Sequence, residues 1–258
     1  MRVPVVLIVA ALAAAPVAPA VGAEAPVPYL YEREGQGEAG RVTFELESGY
    51  GTREARPFGR HGFEQLVRAR WQALSWLAAE VGGGLLAPSS GRARGSVTTE
   101  LVFGPLNAVD HFLDLSVGLG YRFDYDEVHV PYLRLALGRA FGPFHVVLSG
   151  IAEIPTGGDR DEVDLILGLA GSYGITSWCR LGFELVAEDI EGYWEREEAE
   201  GGAKIVLGPT LAFAVGDHID LRLNAGAILA ATHSTPTRGA GETIDGGFLG
   251  RLAIGYSF

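Results

Sequence analysis

The chain has 258 residues, a net charge of −12, 37 glycines and a single cysteine. Its mean hydropathy is only +0.19. No run of basic residues occurs, and because phosphate binding requires clustered Lys and Arg, nucleic acid is excluded as an expected partner.

Residues 1–23 have the pattern of a secretory signal peptide. Arg2 precedes an apolar segment at 5–15, and small residues at 21–23 precede Glu24. Residues 24–40 contain Pro, Gly and charges without a period, and we interpret them as a flexible periplasmic lead-in to a domain over 41–258. The apolar segment is too short for a membrane helix, and no later run is long enough. A membrane location therefore requires a closed barrel, because open sheet edges cannot face lipid.

After residue 40 the sequence falls into segments in which apolar and polar residues alternate, the pattern of a strand with two different faces. The clearest segment is 111–123. The predicted strands cover 41–51, 63–71, 76–86, 96–105, 111–123, 129–139, 144–154, 163–173, 178–188, 204–215, 219–231 and 247–258.

Short and long connections alternate between these segments, as in barrels with short turns at one end and longer loops at the other. Residues 63–81 also fit a helical spacing, so a helix there is an alternative to the predicted hairpin. Aromatic side chains gather at both ends of the predicted strands, the arrangement of two interfacial belts.

The last segment ends the chain with a clean alternation. Leu252, Ile254, Tyr256 and Phe258 share one face, and Arg251 lies on the other. A terminal Phe with Tyr two residues before it resembles the closing strand of bacterial outer-membrane β-barrels. The resemblance implies that Phe258 and Tyr256 are the signal read by the barrel assembly machinery, and that the protein lies in the cell outer membrane. We then expect Arg251 to point inward and this strand to pair with the first one.

Alternation alone does not tell which face is inside. A soluble sandwich or lipocalin-like barrel would bury the apolar row. Three features favour lipid on that row: the predicted signal and terminal Phe, the charges in the middle of strands, and the width of such a barrel, which apolar side chains are not expected to fill. The predicted fold is all-β, an up-and-down antiparallel transmembrane β-barrel of about twelve strands.

Charged residues recur on the predicted inward row. The candidate lumen and selectivity residues are Arg68, Arg70, Glu80, Glu100, Asp114, Arg122, Arg134, Glu153, Arg180, Glu184, Arg222 and Arg251. The same row holds Glu45, Glu47, Glu64, Asp164, Glu188, Lys204 and Asp220. Two interpretations stay open: cross-strand ion pairing that fills a narrow interior, or a mixed-charge constriction that selects small polar or ionic solutes.

The segment 187–202 is strongly acidic. Carboxylates suit Ca²⁺ or Mg²⁺, which makes Glu188, Asp189, Glu191, Glu195 and Glu198 weak candidate ligands. A solvated acidic loop is the alternative. No EF-hand spacing occurs, and no metal site is predicted.

Lipid hydrolysis on a barrel surface requires a Ser and a His within hydrogen-bond reach. The six His residues, at 61, 111, 129, 145, 218 and 233, have no evident Ser partner on a lipid-facing strand. Phosphate-loop and dinucleotide motifs do not occur either. We therefore expect no enzyme and no cofactor, with a lipid-modifying enzyme as the third interpretation.

The strand–turn–strand units, such as SYGITSWCRLGFEL at 172–185, look similar to outer-membrane transporters of the MetA-pathway-of-phenol-degradation type. The resemblance covers most of the mature chain and implies uptake of small organic solutes. The predicted function is a passive channel or transporter for small solutes. The alternative is a closed structural or surface barrel whose loops bind partners, divalent ions or lipopolysaccharide. Expected partners are outer-membrane lipid, lipopolysaccharide, the barrel assembly machinery and a small solute.

Overall fold

The computed structural model describes residues 37–53, 55, 60–106, 112–125, 127–156, 163–188, 204–230 and 246–258. The predicted signal peptide, most of the lead-in and the acidic segment beyond Glu188 lie outside these residues. Among them, no helix is long and apolar enough to cross a membrane.

The described residues form twelve strands, numbered β1 to β12 in chain order. Their bounds are Val42–Gly51, Gly62–Leu74, Leu77–Pro88, Arg94–Leu106, Asp114–Phe123, His129–Phe141, Phe144–Glu153, Asp164–Thr176, Cys179–Glu188, Lys204–Val215, Ile219–Ala230 and Gly247–Ser257. Each strand pairs antiparallel with its sequence neighbours, and β1 pairs with β12, so the sheet closes into an up-and-down barrel. The predicted fold class and strand number are confirmed. The hairpin over 63–81 is confirmed too, and the helical alternative is wrong.

The closing pair runs from Thr43 opposite Ser257 to Tyr50 opposite Gly250. The hydroxyl oxygens of Thr43 and Ser257 lie 2.9 Å apart on the inner face. On the outer face the rings of Phe44 and Phe258 stack at 5.9 Å between centroids. The expected partner of the last strand is therefore observed, and the sheet has no free edge there.

The two ends of the barrel differ. The terminal end carries Phe258, Gly37 and the connections 75–76, 107–113, 142–143, 177–178 and 216–218. The loop end carries the other six connections. The backbone of Gly37 donates to the carbonyl of Ser75, which fastens the described end of the lead-in to the terminal end. Gly142 in the two-residue turn at 142–143 has a φ of 59°, a conformation that favours glycine.

The outward row of each strand is apolar and exposed, and this distinguishes the barrel from one with an aqueous exterior. Large exposed side chains near the loop end include Tyr50, Phe63, Tyr121 and Phe248, and those near the terminal end include Trp71, Trp76, Phe144, Tyr173, Tyr256 and Phe258. Leu and Val side chains cover the belt between them.

One irregularity lies in β10, where Pro209 interrupts the hydrogen-bonded ladder with β11. The ladder pairs Leu207 with Ala227 and then resumes at Thr210, because proline has no N–H to donate. The backbone of β11 there approaches so closely that a Cβ on Gly208 would fall on the carbonyl oxygen of Ala225. A side chain at position 208 would therefore displace the β11 backbone.

We expect Gly208→Ala to destabilise the barrel by about 1–3 kcal/mol, because the added methyl group must displace backbone rather than a flexible side chain. The measurement is the temperature at which the folded band is lost in heat-modifiability gels. Gly171→Ala is the matched control, since a Cβ there meets no atom within 4 Å. Equal effects of the two substitutions would contradict the prediction.

Candidate functional site

The interior of the barrel is lined by the polar row that the alternation predicts. All twelve candidate lumen residues lie at positions of their strands that point inward: Arg68, Arg70, Glu80, Glu100, Asp114, Arg122, Arg134, Glu153, Arg180, Glu184, Arg222 and Arg251.

A continuous chain of ion pairs, the seam network, crosses the junction of β1 with β12. Its members are Asp220, Arg222, Arg251, Glu45, Glu47, Glu64, Arg68 and Glu80. Glu45 on β1 accepts from Arg68 on β2 and from Arg222 on β11. Glu47 accepts from Arg68 at 2.6 Å and pairs with Arg251 on β12. The carboxylates of the first strand are therefore held from both sides of the closure.

Small inward residues allow this network to skip a strand. Arg222 on β11 reaches Glu45 on β1 across β12, where the inward positions in register are Ala253 and Gly255. A Cβ on Gly255 would fall on the carboxylate of Asp220. The missing side chain provides the space that the ion pairs occupy.

The same arrangement recurs at β5. Glu100 on β4 accepts from Arg134 and from the Tyr132 hydroxyl on β6, both at 3.0 Å. These bonds pass over Gly118 and Gly120 of β5, and a Cβ on Gly120 would collide with the Tyr132 ring. The alternating glycines of β5 thus bring its two neighbours into contact.

A second set of ion pairs, the mouth network, lies at the loop end and consists of Arg60, Asp124, Arg122 and Glu153. Arg60 comes from the β1–β2 connection and donates to both oxygens of Asp124 at 2.6 Å. Arg122 lies 3.3 Å from Asp124 and binds Glu153 through two parallel bonds of 2.9 Å. The guanidinium of Arg60 also lies 5.6 Å from the centre of the Tyr125 ring. The β1–β2 and β5–β6 connections are therefore linked to each other and, through Arg122 and Glu153, to strands β5 and β7.

Asp124 and Tyr125 lie between strands β5 and β6, and their pKa values shift in opposite directions. Burial acts to raise the pKa of Asp124, but the charges of Arg60 and Arg122 outweigh it and lower the pKa from 3.8 to about 2. Burial, followed by the charge of Glu64, raises the pKa of Tyr125 well above its ordinary value. Asp124 is thus an anion and Tyr125 a neutral phenol at physiological pH.

Both networks face one cavity of about 110 Å³. Its carboxylates belong to Glu47, Glu64, Glu80, Glu100, Asp124 and Glu153. Its guanidinium groups belong to Arg60, Arg68, Arg122, Arg134 and Arg251. A polar space of this size holds a few water molecules, so the cavity offers a hydrated, nearly charge-balanced surface.

The opposite side of the interior carries an apolar patch among its charged residues. The apolar wall consists of inward residues from successive strands β7 to β12: Ile151, Ile166, Val186, Val206, Ile228 and Leu249. Ala55 from the β1–β2 connection is fully buried and belongs to the same cluster. Ala55, in the described part of the β1–β2 connection, therefore covers this wall from inside the barrel.

The remaining candidates lie nearer the terminal end or on the far wall. Arg180 is 3.5 Å from the Ser172 hydroxyl, and Asn224 donates to Glu184 at 3.2 Å. Arg70 donates to the Gln72 side chain at 3.3 Å. These residues, with Asp114, are outside the cavity that joins the two networks.

Of the weak metal candidates only Glu188 is described, and it pairs with Lys204 at 3.3 Å. Asp189, Glu191, Glu195 and Glu198 lie outside the described residues. In the described ranges no group of three or more His, Cys, Asp or Glu side chains is placed to hold a metal ion.

One Ser–His pair that the sequence did not reveal lies at the loop end. His61 Nε2 and Ser89 Oγ are 3.0 Å apart and exposed. Hydrolytic use of such a pair requires a third group that orients the imidazole. Among the described residues no carboxylate bonds to the His61 ring.

Sequence reasoning missed Arg60, Asp124, Tyr125 and Ala55, which belong to connections without periodicity. Only the pairing of β5 with β6 and the return of the β1–β2 connection bring them to the interior. The Arg60–Tyr125 neighbourhood has no sequence signal, because the two residues are far apart in the chain and in irregular segments.

The fold is that of bacterial outer-membrane β-barrel porins and channels. A KdgM porin, solved in complex with disordered oligogalacturonate, is 10% identical, with a TM-score of 0.57 over 84% of this chain and 99% of that one. The NanC porin is 12% identical, with a TM-score of 0.57 over 83% and 98%. The COG4313 outer-membrane channel from Pseudomonas putida F1 is 15% identical, with a TM-score of 0.57 over 89% and 100%. At these identities the likeness shows the fold alone.

No protein-family model matches the chain, and no curated protein matches it in sequence. The resemblance to phenol-pathway transporters therefore stays a prediction.

We expect the Asp124 carboxyl to titrate near pH 2. Since its folded pKa is lower than its unfolded value, the mouth network stabilises the fold above pH 3.8, and this contribution is lost as the pH falls from 3.8 through about 2. The measurement is carboxyl ¹³C NMR of barrel labelled at Asp, with Asp124→Asn to assign the signal. Arg60→Ala should raise the pH midpoint of the Asp124 titration, because less positive charge then opposes the effect of burial on the pKa. A wild-type midpoint near 3.8 would contradict the assignment.

Proposed function

We propose that this chain is an outer-membrane β-barrel that acts as a passive channel for small solutes. The observation that carries the proposal is the combination of an exposed apolar belt outside with a charged interior cavity inside one closed barrel. An apolar exterior is stable only in lipid, and a polar interior favours water and polar solutes there. The porins and channels of the same fold support this proposal.

The orientation follows from the two ends. The terminal end, with its shorter turns and Phe258, faces the periplasm, and the loop end faces the exterior of the cell. Aromatic side chains at both rims then lie at the headgroup level of the two leaflets. Outer-membrane lipid contacts the apolar belt, and lipopolysaccharide contacts the loop end. Phe258 and Tyr256 form the signal that the barrel assembly machinery recognises.

The twelve inward candidates take their roles from this proposal. Those around the cavity, Arg68, Glu80, Glu100, Arg122, Arg134, Glu153 and Arg251, form the constriction that a solute meets. Arg70, Asp114, Arg180, Glu184 and Arg222 line the remaining path. The paired side chains both maintain the shape of the lumen and offer bonding groups to a passing solute.

A closed structural barrel is the second candidate, and one observation favours it. The mouth network ties Arg60 to Asp124, and Ala55 covers the apolar wall, so the described part of the β1–β2 connection narrows the loop end. A barrel that stays narrowed would conduct nothing and would act through its surface. The His61–Ser89 pair, without an orienting acid, gives an enzyme weaker support than either.

We expect purified barrel in a planar lipid bilayer to give stable conductance steps. Thr98→Trp should lower the step size, because Thr98 lines the cavity and the indole fills it. Thr99→Trp is the matched control: the neighbouring residue is of the same type, but its side chain is exposed on the outward face. Absence of steps from wild-type barrel would favour the closed barrel, and equal effects of both variants would contradict the proposed path.

A further inference from the structure

We propose that the lumen prefers anions although the chain is strongly acidic, and that its solutes are small organic anions such as carboxylates. This inference rests on the proposed function as a channel. It depends on which member of each interior ion pair reaches the water, and not on the number of charges of each sign.

In most interior pairs the cation is the more exposed partner. Arg68 is 19% exposed and Glu47 2%. Arg122 is 14% exposed against 1% for Glu153. Arg134 is 13% exposed against 2% for Glu100. All of these side chains point inward, so their exposure is to the lumen and not to the barrel exterior.

The pattern extends to the loop end, where Lys204 is 17% exposed and Glu188 5%. Three pairs depart from it, and in one of them Arg222 and Glu45 are nearly equally exposed, at 11% and 10%. Asp220 is more exposed than Arg222, at 21% against 11%, and Glu64 and Arg251 are nearly equal. Asp220 lies close to the terminal end of β11, away from the cavity, so the cavity itself keeps the cationic surface.

Chemistry explains why the carboxylates lie beneath the guanidinium groups. Glu100 is held against the wall by the Tyr132 hydroxyl and by Arg134, and Glu47 lies beneath both Arg68 and Arg251. A guanidinium carries five N–H donors, and those not used by its partner face the water. A solute carboxylate thus meets N–H donors before it meets another carboxylate.

The numbers of charges do not decide the sign of the preference. The cavity has six carboxylates and five guanidinium groups, which nearly cancel. An ion in the lumen responds most to the nearest charges, because Coulomb energy falls with distance and salt screens the rest. Much of the formal charge of −12 lies elsewhere, as in the acidic run at 187–202. The shallower layer of Arg side chains therefore sets the preference.

The experiment is the reversal potential of wild-type barrel in a planar bilayer under a KCl gradient. We expect a permeability ratio of chloride to potassium above one. The charge-neutral double substitution Arg134→Gln with Glu100→Gln leaves the net charge at its wild-type value and strands no buried charge. It should lower the ratio by about threefold, the effect expected in water when a unit cation about 5 Å from the permeating ion and a unit anion about 8 Å from it are both removed.

Arg139→Gln is the control for net charge, because it makes the chain one unit more acidic but removes its positive charge outside the lumen. Arg139 lies outward near the terminal end, with its guanidinium 3.4 Å from the centre of the Phe112 ring, and its loss should leave the ratio unchanged. If the Arg134 and Glu100 double variant does not fold, as judged by heat modifiability, Lys204→Gln with Glu188→Gln tests the same inference. A double variant with the wild-type ratio would overturn it.

A second measurement addresses the solute. Proteoliposomes with wild-type barrel should take up gluconate faster than glucose, which is of similar size and uncharged. Conductance with a preference for potassium, or faster glucose uptake, overturns the anion preference while the channel function stands. Absence of any conductance contradicts the channel function and the anion preference together.

Discussion

The pairing of β1 with β12 is the constraint on which the rest of the structure depends. With a free edge, a row of backbone N–H and C=O groups would lack partners, and lipid offers none. The pairing fixes the register from Thr43 opposite Ser257 onward. A slip of one residue would turn every apolar side chain of a strand inward. The seam network, in which Glu45 and Glu47 are held from both sides, accepts only the observed register.

Interior ion pairs of this kind select one arrangement of the strands and add little to the free energy of unfolding. Removing charges from water is costly, and the attraction between paired groups only partly offsets that cost. Removing a single partner costs more, since it leaves a buried charge alone. The interior of the barrel therefore tolerates changes that keep a pair balanced better than changes that break one. Inward glycines such as Gly118, Gly120 and Gly255 take part in this design, because they give ion pairs the space to cross a strand.

The interior has two unlike sides, and this difference bears on transport. On β1 to β7 it is charged and carries the cavity, whereas the half of β7 to β12 nearer the loop end presents the apolar wall covered by Ala55. The β1–β2 connection joins both sides, since Ala55 packs on the apolar wall while Arg60 binds Asp124. In the proposed channel a solute would therefore pass along the charged side, which carries the cavity.

The sequence by itself determined the strands, their number, their inward and outward rows and the inward direction of Arg251. These follow from local rules: a period of two, turn residues and the demand that a closed sheet has no edge. Tertiary structure alone decided which charges pair and which are exposed. Arg222 reaches Glu45 only because β12 lies between them with small residues, and Arg60 and Asp124 meet only through two irregular connections. The period of two puts Ile166 on the inward row with Asp164 and Gly168, but only the tertiary structure shows that it packs in an apolar wall. Contacts between distant segments depend on how the sheet closes and on how deeply each side chain is buried. The alternation of apolar and polar residues along the sequence carries no information about either.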